Sequence, residues 1–452
     1  MGGKTPWDIS CLTIVAVIIG SILIHNTGRN AIAVDNNASK QEPSCVTEKC
    51  HGNMGKEKFV HGPVASGDCV FCHISEGDHR FKRINDVGKL CAQCHEKLIT
   101  KQVVHPPVKE GKCTGCHDAH QSPNKFQLRA TGADLCFLCH KRSIVGGKFV
   151  HGPAAVGSCS TCHQAHQSDF PKLLMAKGNQ VCFDCHTDKA DDLKSKKFIH
   201  APVEDACVNC HSPHSGDHKY NLTSEGSKDL CLTCHTDKTK ELEVAIVKHK
   251  GLETEKKCLA CHDPHASDYA KQLKEQPATL CLGCHDKEYT SATGRLMNMK
   301  AFLAKNSDHH GPIKQNDCTG CHNPHGSGNF RILRENFPPL FYAGYNPDNY
   351  KLCYMCHEKT LASEEKTTTL TNFRNGDRNL HYLHVNKAVK GRTCRACHDA
   401  HATSNPKHIR DAVPFNKWNL PINFVKNDTG GQCSPGCHQR FIYDRNKPVV
   451  NK

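Results

Sequence analysis

The segment Cys113-Thr-Gly-Cys-His-Asp-Ala-His120 sets two thiols three positions apart, an imidazole directly after the second, and another imidazole three residues further on. Two thiols on so short a turn can add across the vinyl groups of one porphyrin, and the histidine that follows then becomes an axial ligand of its iron. Outward from this segment the same Cys-x-x-Cys-His word recurs in both directions until it has occurred thirteen times. Its copies are Cys69, Cys72 and His73; Cys91, Cys94 and His95; Cys113, Cys116 and His117; Cys136, Cys139 and His140; Cys159, Cys162 and His163; Cys182, Cys185 and His186; Cys207, Cys210 and His211; Cys231, Cys234 and His235; Cys258, Cys261 and His262; Cys281, Cys284 and His285; Cys318, Cys321 and His322; Cys353, Cys356 and His357; and Cys394, Cys397 and His398. Two stretched relatives flank them: Cys45, Cys50 and His51, with four residues between the thiols, and Cys433, Cys437 and His438, with three.

The fifteen motifs consume thirty of the 31 cysteines and leave only Cys11. A structural zinc site needs two ligand pairs and does not fix a histidine next to the second cysteine of each. A redox dithiol accounts for one isolated motif, not for fifteen. A disulfide framework explains an even cysteine count but not the histidines. The chain is therefore expected to carry about fifteen covalent haems c, with the fifteen motif histidines as proximal iron ligands.

An iron in a porphyrin has a second axial face, and its occupant separates an electron carrier from a catalyst. Of 34 histidines, fifteen sit in motifs and His25 adjoins an N-terminal apolar run, which leaves eighteen for fifteen distal positions. One precedes every second motif by seven to ten residues: His61, His105, His151, His200, His249, His310 and His384. Another follows the same motif, three residues after its histidine at His120, His166, His214, His265, His325 and His401, and six residues after it at His79. These fourteen are the predicted distal ligands. His309, His381, His408 and His218 remain open as the fifteenth.

The unit is thus a histidine, a motif, a second histidine, a spacer and a plainer motif. Starts recur every 22 to 27 residues up to Cys281 and every 35 to 41 thereafter. Lys58-Phe-Val-His-Gly-Pro63, Lys148-Phe-Val-His-Gly-Pro153 and Lys197-Phe-Ile-His-Ala-Pro202 repeat outside the cysteines as well. A tandemly duplicated two-haem module in a quasi-linear array follows, tight over 34–290 and looser over 291–452. The pattern in Cys113–His120, Cys258-Leu-Ala-Cys-His-Asp-Pro-His265 and Cys318-Thr-Gly-Cys-His-Asn-Pro-His325 resembles the doubled-CxxCH family of multihaem c-type cytochromes, over about residues 45–438. That resemblance implies closely packed bis-histidine haems serving respiratory electron transfer at or beyond the bacterial cell envelope.

At 37% hydrophobic and 6% aromatic residues the polypeptide is poor stock for a conventional core, so the porphyrins are expected to supply the missing apolar surface. Little regular secondary structure is predicted: short α-helices and irregular loops wrapped around a haem chain. Glu241–His249 is read as two or three helical turns, Gly146-Gly147 and Gly430-Gly431 as loops, and Phe337–Tyr350 and Val413–Val425 as covering loops.

The formal charge of +14 would suggest an anionic partner. Fifteen oxidised haems, each with two propionates, add roughly one negative charge apiece, about −15 in all, so no nucleic-acid partner is expected. Lys89, Lys112, Lys228, Lys257 and Lys351, just before motif cysteines, are candidates to pair with propionates. Residues 1–33, with an apolar run over 9–24, read as a signal peptide or an N-terminal membrane anchor. Export follows, to the periplasm, held at the inner membrane or passed to the outer surface.

The leading function is an electron conduit in anaerobic or extracellular respiration, with other redox proteins of the cell envelope as partners and with assembly into a homo-oligomer or filament left open. The competing reading is a terminal reductase of a small nitrogen or sulfur compound with one open iron. The off-register His79 and the Cys433/Cys437 motif are the places where that iron would lie.

Overall fold

The computed structural model describes residues 45–96, 99–291 and 294–452, so the leader or anchor over 1–33, its apolar run over 9–24 and Cys11 lie outside the described residues. Among the described residues no helix is long and apolar enough to cross a membrane.

Each regular motif closes on itself. In all thirteen the backbone N–H of the histidine donates to the carbonyl of the first cysteine at 2.9–3.1 Å, one α-helical turn that holds both thiols and the imidazole on a short arc. The first motif of a module forms an isolated 3₁₀ turn, as at Cys113–Gly115 and Cys159–Thr161. The second ends a short α-helix, as at Gly132–Cys136 and Gly226–Leu232. Among the described residues the longest helices, Thr187–Ser195 and Thr236–Val244, have nine residues. The fold has little regular structure, short helices and turns joined by irregular stretches, as the sequence led us to expect.

Successive modules are stapled by two-residue antiparallel strands. Phe59–Val60 pairs with Gln121–Ser122, Val103–Val104 with Gln167–Ser168, Phe149–Val150 with Ser215–Gly216, and Phe198–Ile199 with Ala266–Ser267. Val247–Lys248 with Gly326–Ser327 and Asp308–His309 with Ala402–Thr403 continue the series. The strand entering one module therefore lies against the strand leaving the first motif of the next. This also corrects the helix expected over Glu241–His249: the helix begins earlier, at Thr236, and stops at Val244 because Val247–Lys248 must be extended to make its staple.

Backbones approach closely where modules meet. A Cβ on Gly88 would lie 2.7 Å from Cα of Gly111, so only glycine lets the helix Val87–Ala92 settle against the start of the next motif.

Conventional packing is confined to the C-terminal third. Tyr350, Ala362 and Val385 form a small buried cluster, with Asn379 and Thr393 also buried. Of the two expected covering loops, Phe337–Tyr350 contributes strand Tyr342–Ala343 and the buried Tyr350. Val413–Val425 is largely a hairpin, Ala412–Phe415 against Trp418–Pro421. Gly430-Gly431 is likewise not a loop. Gly430–Cys433 is the central strand of a three-stranded sheet with Val425–Lys426 and Phe441–Asp444, and a Cβ on Gly430 would collide with the Tyr443 carbonyl.

Candidate haem sites

The fold gathers histidines from distant motifs into parallel pairs. His51 faces His79, His73 faces His120, and His61 faces His95, with ring centres 6.0–6.2 Å apart. The same arrangement joins His105 to His140, His117 to His166, His151 to His186, His163 to His214, and His200 to His235, at 5.9–6.2 Å. It recurs for His211 with His265, His249 with His285, His262 with His325, and His310 with His357, at 6.1–6.3 Å. His322 with His401 at 6.2 Å and His381 with His398 at 6.4 Å complete fourteen pairs, none tilted by more than 24°.

The spacing has a physical meaning. Two imidazoles on opposite faces of one metal, each bonded at about 2.0–2.1 Å through a nitrogen about 1.1 Å from its ring centre, hold those centres roughly 6.2 Å apart. The residues present therefore fit an iron between each pair. Among the described residues no group of three or more histidine, cysteine, aspartate or glutamate side chains converges as an all-protein metal site.

The pairing obeys a rule that the linear spacing did not reveal. A histidine preceding a module's first motif faces the second motif of its own module, as His61 faces His95 and His105 faces His140. A histidine following the first motif faces the first motif of the preceding unit, as His120 faces His73 and His166 faces His117. His79, off register in the sequence, plays this second part toward His51. Of the four candidates left open, His381 takes a place, against His398. His309 instead bonds through Nε2 to the Leu303 carbonyl at 3.0 Å. His408 lies edge-on to His310 at 5.4 Å, near Asp308.

The rings are held by the backbone. Nδ1 of His61, His105, His151 and His200 lies 2.9–3.0 Å from the carbonyls of Ala119, Ala165, Pro213 and Pro264 on the neighbouring module. His61 also donates its backbone N–H to the His120 carbonyl at 2.8 Å, and His105 to that of His166 at 2.8 Å. On the motif side, Nδ1 of His117, His163, His211, His262, His322 and His398 lies 2.8–3.1 Å from the carbonyls of Phe126, Lys172, Tyr220, Lys271, Arg331 and Lys407. A carbonyl at Nδ1 fixes the tautomer with the proton there and leaves Nε2 as a lone-pair donor for a metal.

Those six acceptor residues all have left-handed backbone, with φ of 53–61°, and each is followed by a second left-handed residue. The double left-handed turn aims one carbonyl at the imidazole and the next at the following N–H, as Gln127 does for Asp118 at 2.7 Å. A sequence signal for it exists and was missed. An aliphatic residue stands eleven positions after the motif histidine at Leu128, Leu174, Leu222, Leu273, Leu333 and Ile409, each bridged back to that histidine.

Burial, by disfavouring the imidazolium form, holds His322 and His384 down to about 4 and His381 to about 3. It lowers His249, His265, His285, His310, His325 and His398 as well. Neutral imidazole is the form that binds a metal. Asp399 works from outside the ring pair: burial opposes its ionisation, but the hydrogen bond from His401 and the Arg410 guanidinium outweigh it and keep the carboxyl below its usual range.

The motif thiols, as they stand before reaction with vinyl groups, form an unbroken series. First cysteines adjoin one another in pairs, Cys45 with Cys69, Cys91 with Cys113, Cys136 with Cys159 and Cys182 with Cys207. Cys231 with Cys258, Cys281 with Cys318 and Cys353 with Cys394 follow. Between these pairs Cys72 neighbours Cys91, Cys116 neighbours Cys139, and so on to Cys397 beside Cys433 and Cys437. Each motif thus adjoins the next from the first to the fifteenth.

Three of the lysines expected beside propionates have other partners: Lys89 pairs with Asp86, Lys112 with Glu110 and Lys351 with Asp348, at 2.7–3.5 Å. Lys228 and Lys257 do converge on a motif thiol, that of Cys258.

Closed motif turns, facing imidazoles and a continuous motif series define a multihaem c-type cytochrome, an electron-transfer protein that binds haem c covalently. The family model described as the doubled CXXCH motif matches residues 61–100, 105–144, 151–191, 200–240, 249–290 and 310–362, more than half of the chain. The chain belongs to that doubled CXXCH family. Among curated proteins it is similar to the multiheme cytochrome MtrA of Shewanella baltica (strain OS185), 27% identical over 195 residues, 42% of this chain and 50% of that protein. The chain spans about half the length of that relative.

Proposed function

We propose that the chain carries fifteen haems c in one file and conducts electrons along it across the periplasm or cell envelope, in anaerobic or extracellular respiration. The observation that carries this reading is the set of fourteen facing imidazole pairs. Each motif histidine from His51 to His398 serves as a proximal ligand, and its facing partner, from His79 to His401 and including His381, as the distal one. Irons closed on both faces keep their ligands on reduction, so little reorganisation opposes each transfer, and no substrate competes for the metal. When bound, the haems would supply the redox chemistry; the polypeptide orients the imidazoles, keeps them neutral and brings each motif against the next.

The name of the relative, a multiheme cytochrome, supports a multihaem carrier; its place at the envelope, with other redox proteins as donor and acceptor, is part of the proposal. Residues 9–24 would hold the protein at the membrane, or direct its export and be removed. The reductase alternative is weakened at one of its two expected locations, because His79 faces His51 at 6.0 Å, within the spread of the regular pairs.

A haem count by pyridine haemochrome on the exported protein, combined with coulometric titration, tests the proposal. About fifteen haems and as many electrons taken up reversibly per chain are expected. A count near twelve, the number in the six matched repeats, would refute the single file, because the two stretched end motifs and the Cys394/Cys397 motif would then be empty.

A further inference from the structure

The fifteenth motif breaks the pattern of the other fourteen. By the rule above, His384, which precedes Cys394, belongs to the second motif of its module, that of His438. The two are electrostatic neighbours. Among the described residues, however, their rings form no parallel pair near 6 Å. His438 lies instead on Phe441, with ring centres 4.7 Å apart and planes 20° apart, and His384 lies on Phe373 at 5.8 Å and 24°.

Both rings are held where they are. Nδ1 of His384 is bonded to the Leu380 carbonyl of its own helix, Leu380–Val385, at 2.7 Å, and Nδ1 of His438 to the adjacent Gln439 carbonyl at 2.6 Å. The helix cannot advance His384 freely, because His381 on the same helix is committed to His398. The motif itself differs too. Cys433 ends a β-strand, where the regular motifs sit on helical turns, and the backbone N–H of His438 reaches Pro435 at 3.4 Å, so the α-turn back to the first cysteine is lost.

From these contacts we infer that the fifteenth haem, resting on the reading of the motifs as haem sites, has an exchangeable sixth position that admits a small exogenous iron ligand such as carbon monoxide or nitric oxide. His384 stands beside that position as a displaceable neighbour. Phe373, stacked on His384, gives that side an apolar wall that suits a diatomic ligand better than a hydrated ion. The other fourteen irons are closed.

Carbon monoxide titration of the fully reduced, full-length holoprotein tests this, with the haem count measured on the same sample. One equivalent of carbon monoxide bound per chain is expected, with the matching change in the Soret band. The doubly substituted Cys433→Ser/Cys437→Ser protein should lose that one equivalent and one haem together. No binding in the parent chain, with one equivalent appearing on His384→Ala, would overturn the inference by making His384 a firm ligand. Binding that survives Cys433→Ser/Cys437→Ser would overturn it by placing the open iron elsewhere. A parent count below fifteen haems would instead strike the reading of the motifs.

Discussion

Replacing His265 by alanine should open the iron of the preceding module, not that of its own. His265 lies three residues after the Cys258/Cys261 motif, yet its ring faces His211 of the Cys207/Cys210 motif at 6.1 Å and 13°. The substitution leaves the module staple intact, because the His200 N–H bond to the His265 carbonyl at 2.9 Å and the Phe198–Ile199 pairing with Ala266–Ser267 are made by backbone. What is lost is one axial imidazole, whose ring centre stood roughly 3.1 Å from the metal, half the paired spacing. Added imidazole fits that gap and should restore the low-spin spectrum. Low-temperature EPR of the oxidised protein should show one new high-spin iron among the fifteen haems expected. The assignment is tested by combination. The new signal should disappear in the Cys207→Ser/Cys210→Ser background and persist in Cys258→Ser/Cys261→Ser. The reverse result would refute the cross-module pairing, and with it the logic used to place every distal ligand.

Asn379 is fully buried, caps the helix carrying His381 and His384 by accepting from the N–H groups of His381 and Tyr382, and donates to the Leu361 and Glu364 carbonyls. Asn379→Ala should cost about 2–4 kcal/mol in denaturant unfolding, from the lost cap and two stranded carbonyls; a loss under about 1 kcal/mol would deny that helix its organising role. Lys172 sits at φ of 60°, so Lys172→Gly should be neutral or slightly stabilising whereas Lys172→Val should lose about 1–2 kcal/mol, a difference that thermal melts resolve. On acidification the folded chain should weaken from about pH 4 downward: although burial opposes it, the hydrogen bond from His401 and the Arg410 guanidinium hold the Asp399 carboxyl below its usual range, so below the ordinary carboxylate value the unfolded chain binds a proton that the folded chain refuses, and denaturant unfolding that shows no loss of stability between about pH 4.5 and 3 would contradict it.

How much of this was legible in the sequence follows from which contacts are local. The motif turn is a contact between residues four apart, so Cys113 to His117 could be read directly, and so could the scarcity of long helices. Most of the histidines that the fold sets in facing pairs were also visible, because they stand at fixed offsets from a motif; His381 stood among four open candidates, and His384, expected as a ligand, lies on Phe373 instead of a motif histidine. The pairing was not. His61 lies next to the Cys69 motif in sequence but belongs with His95, and His120 with His73, because a two-residue strand staple sets each module against the next. Nothing in a single module's composition encodes its neighbour's register. The double left-handed turns were missed for another reason: Phe126, Lys172 and Tyr220 are not residues that signal positive φ, and the tertiary demand for a carbonyl at Nδ1 overrides their preference. The carboxylates beside three of the lysines before the cysteines, each within three residues, are a local pairing that the reading of those lysines did not include.

Two facing histidines stand outside the regular offsets, His79 and His381, and each has its own local cause. At the N-terminal end His79 serves the stretched His51 motif from a longer loop, with Gly77, Asp78 and His79 all at positive φ to make the turn. In the Cys394 module His401 faces His322, and His398 is faced by His381, which comes from the helix Leu380–Val385 inside the same module. The longer spacer before Cys394 is the stretch that holds this helix and the Tyr350 cluster against it. His381 and His384 share that one helix, so setting His381 against His398 is what leaves His384 poorly placed for His438, and the irregularity of the last motif follows from that shared helix.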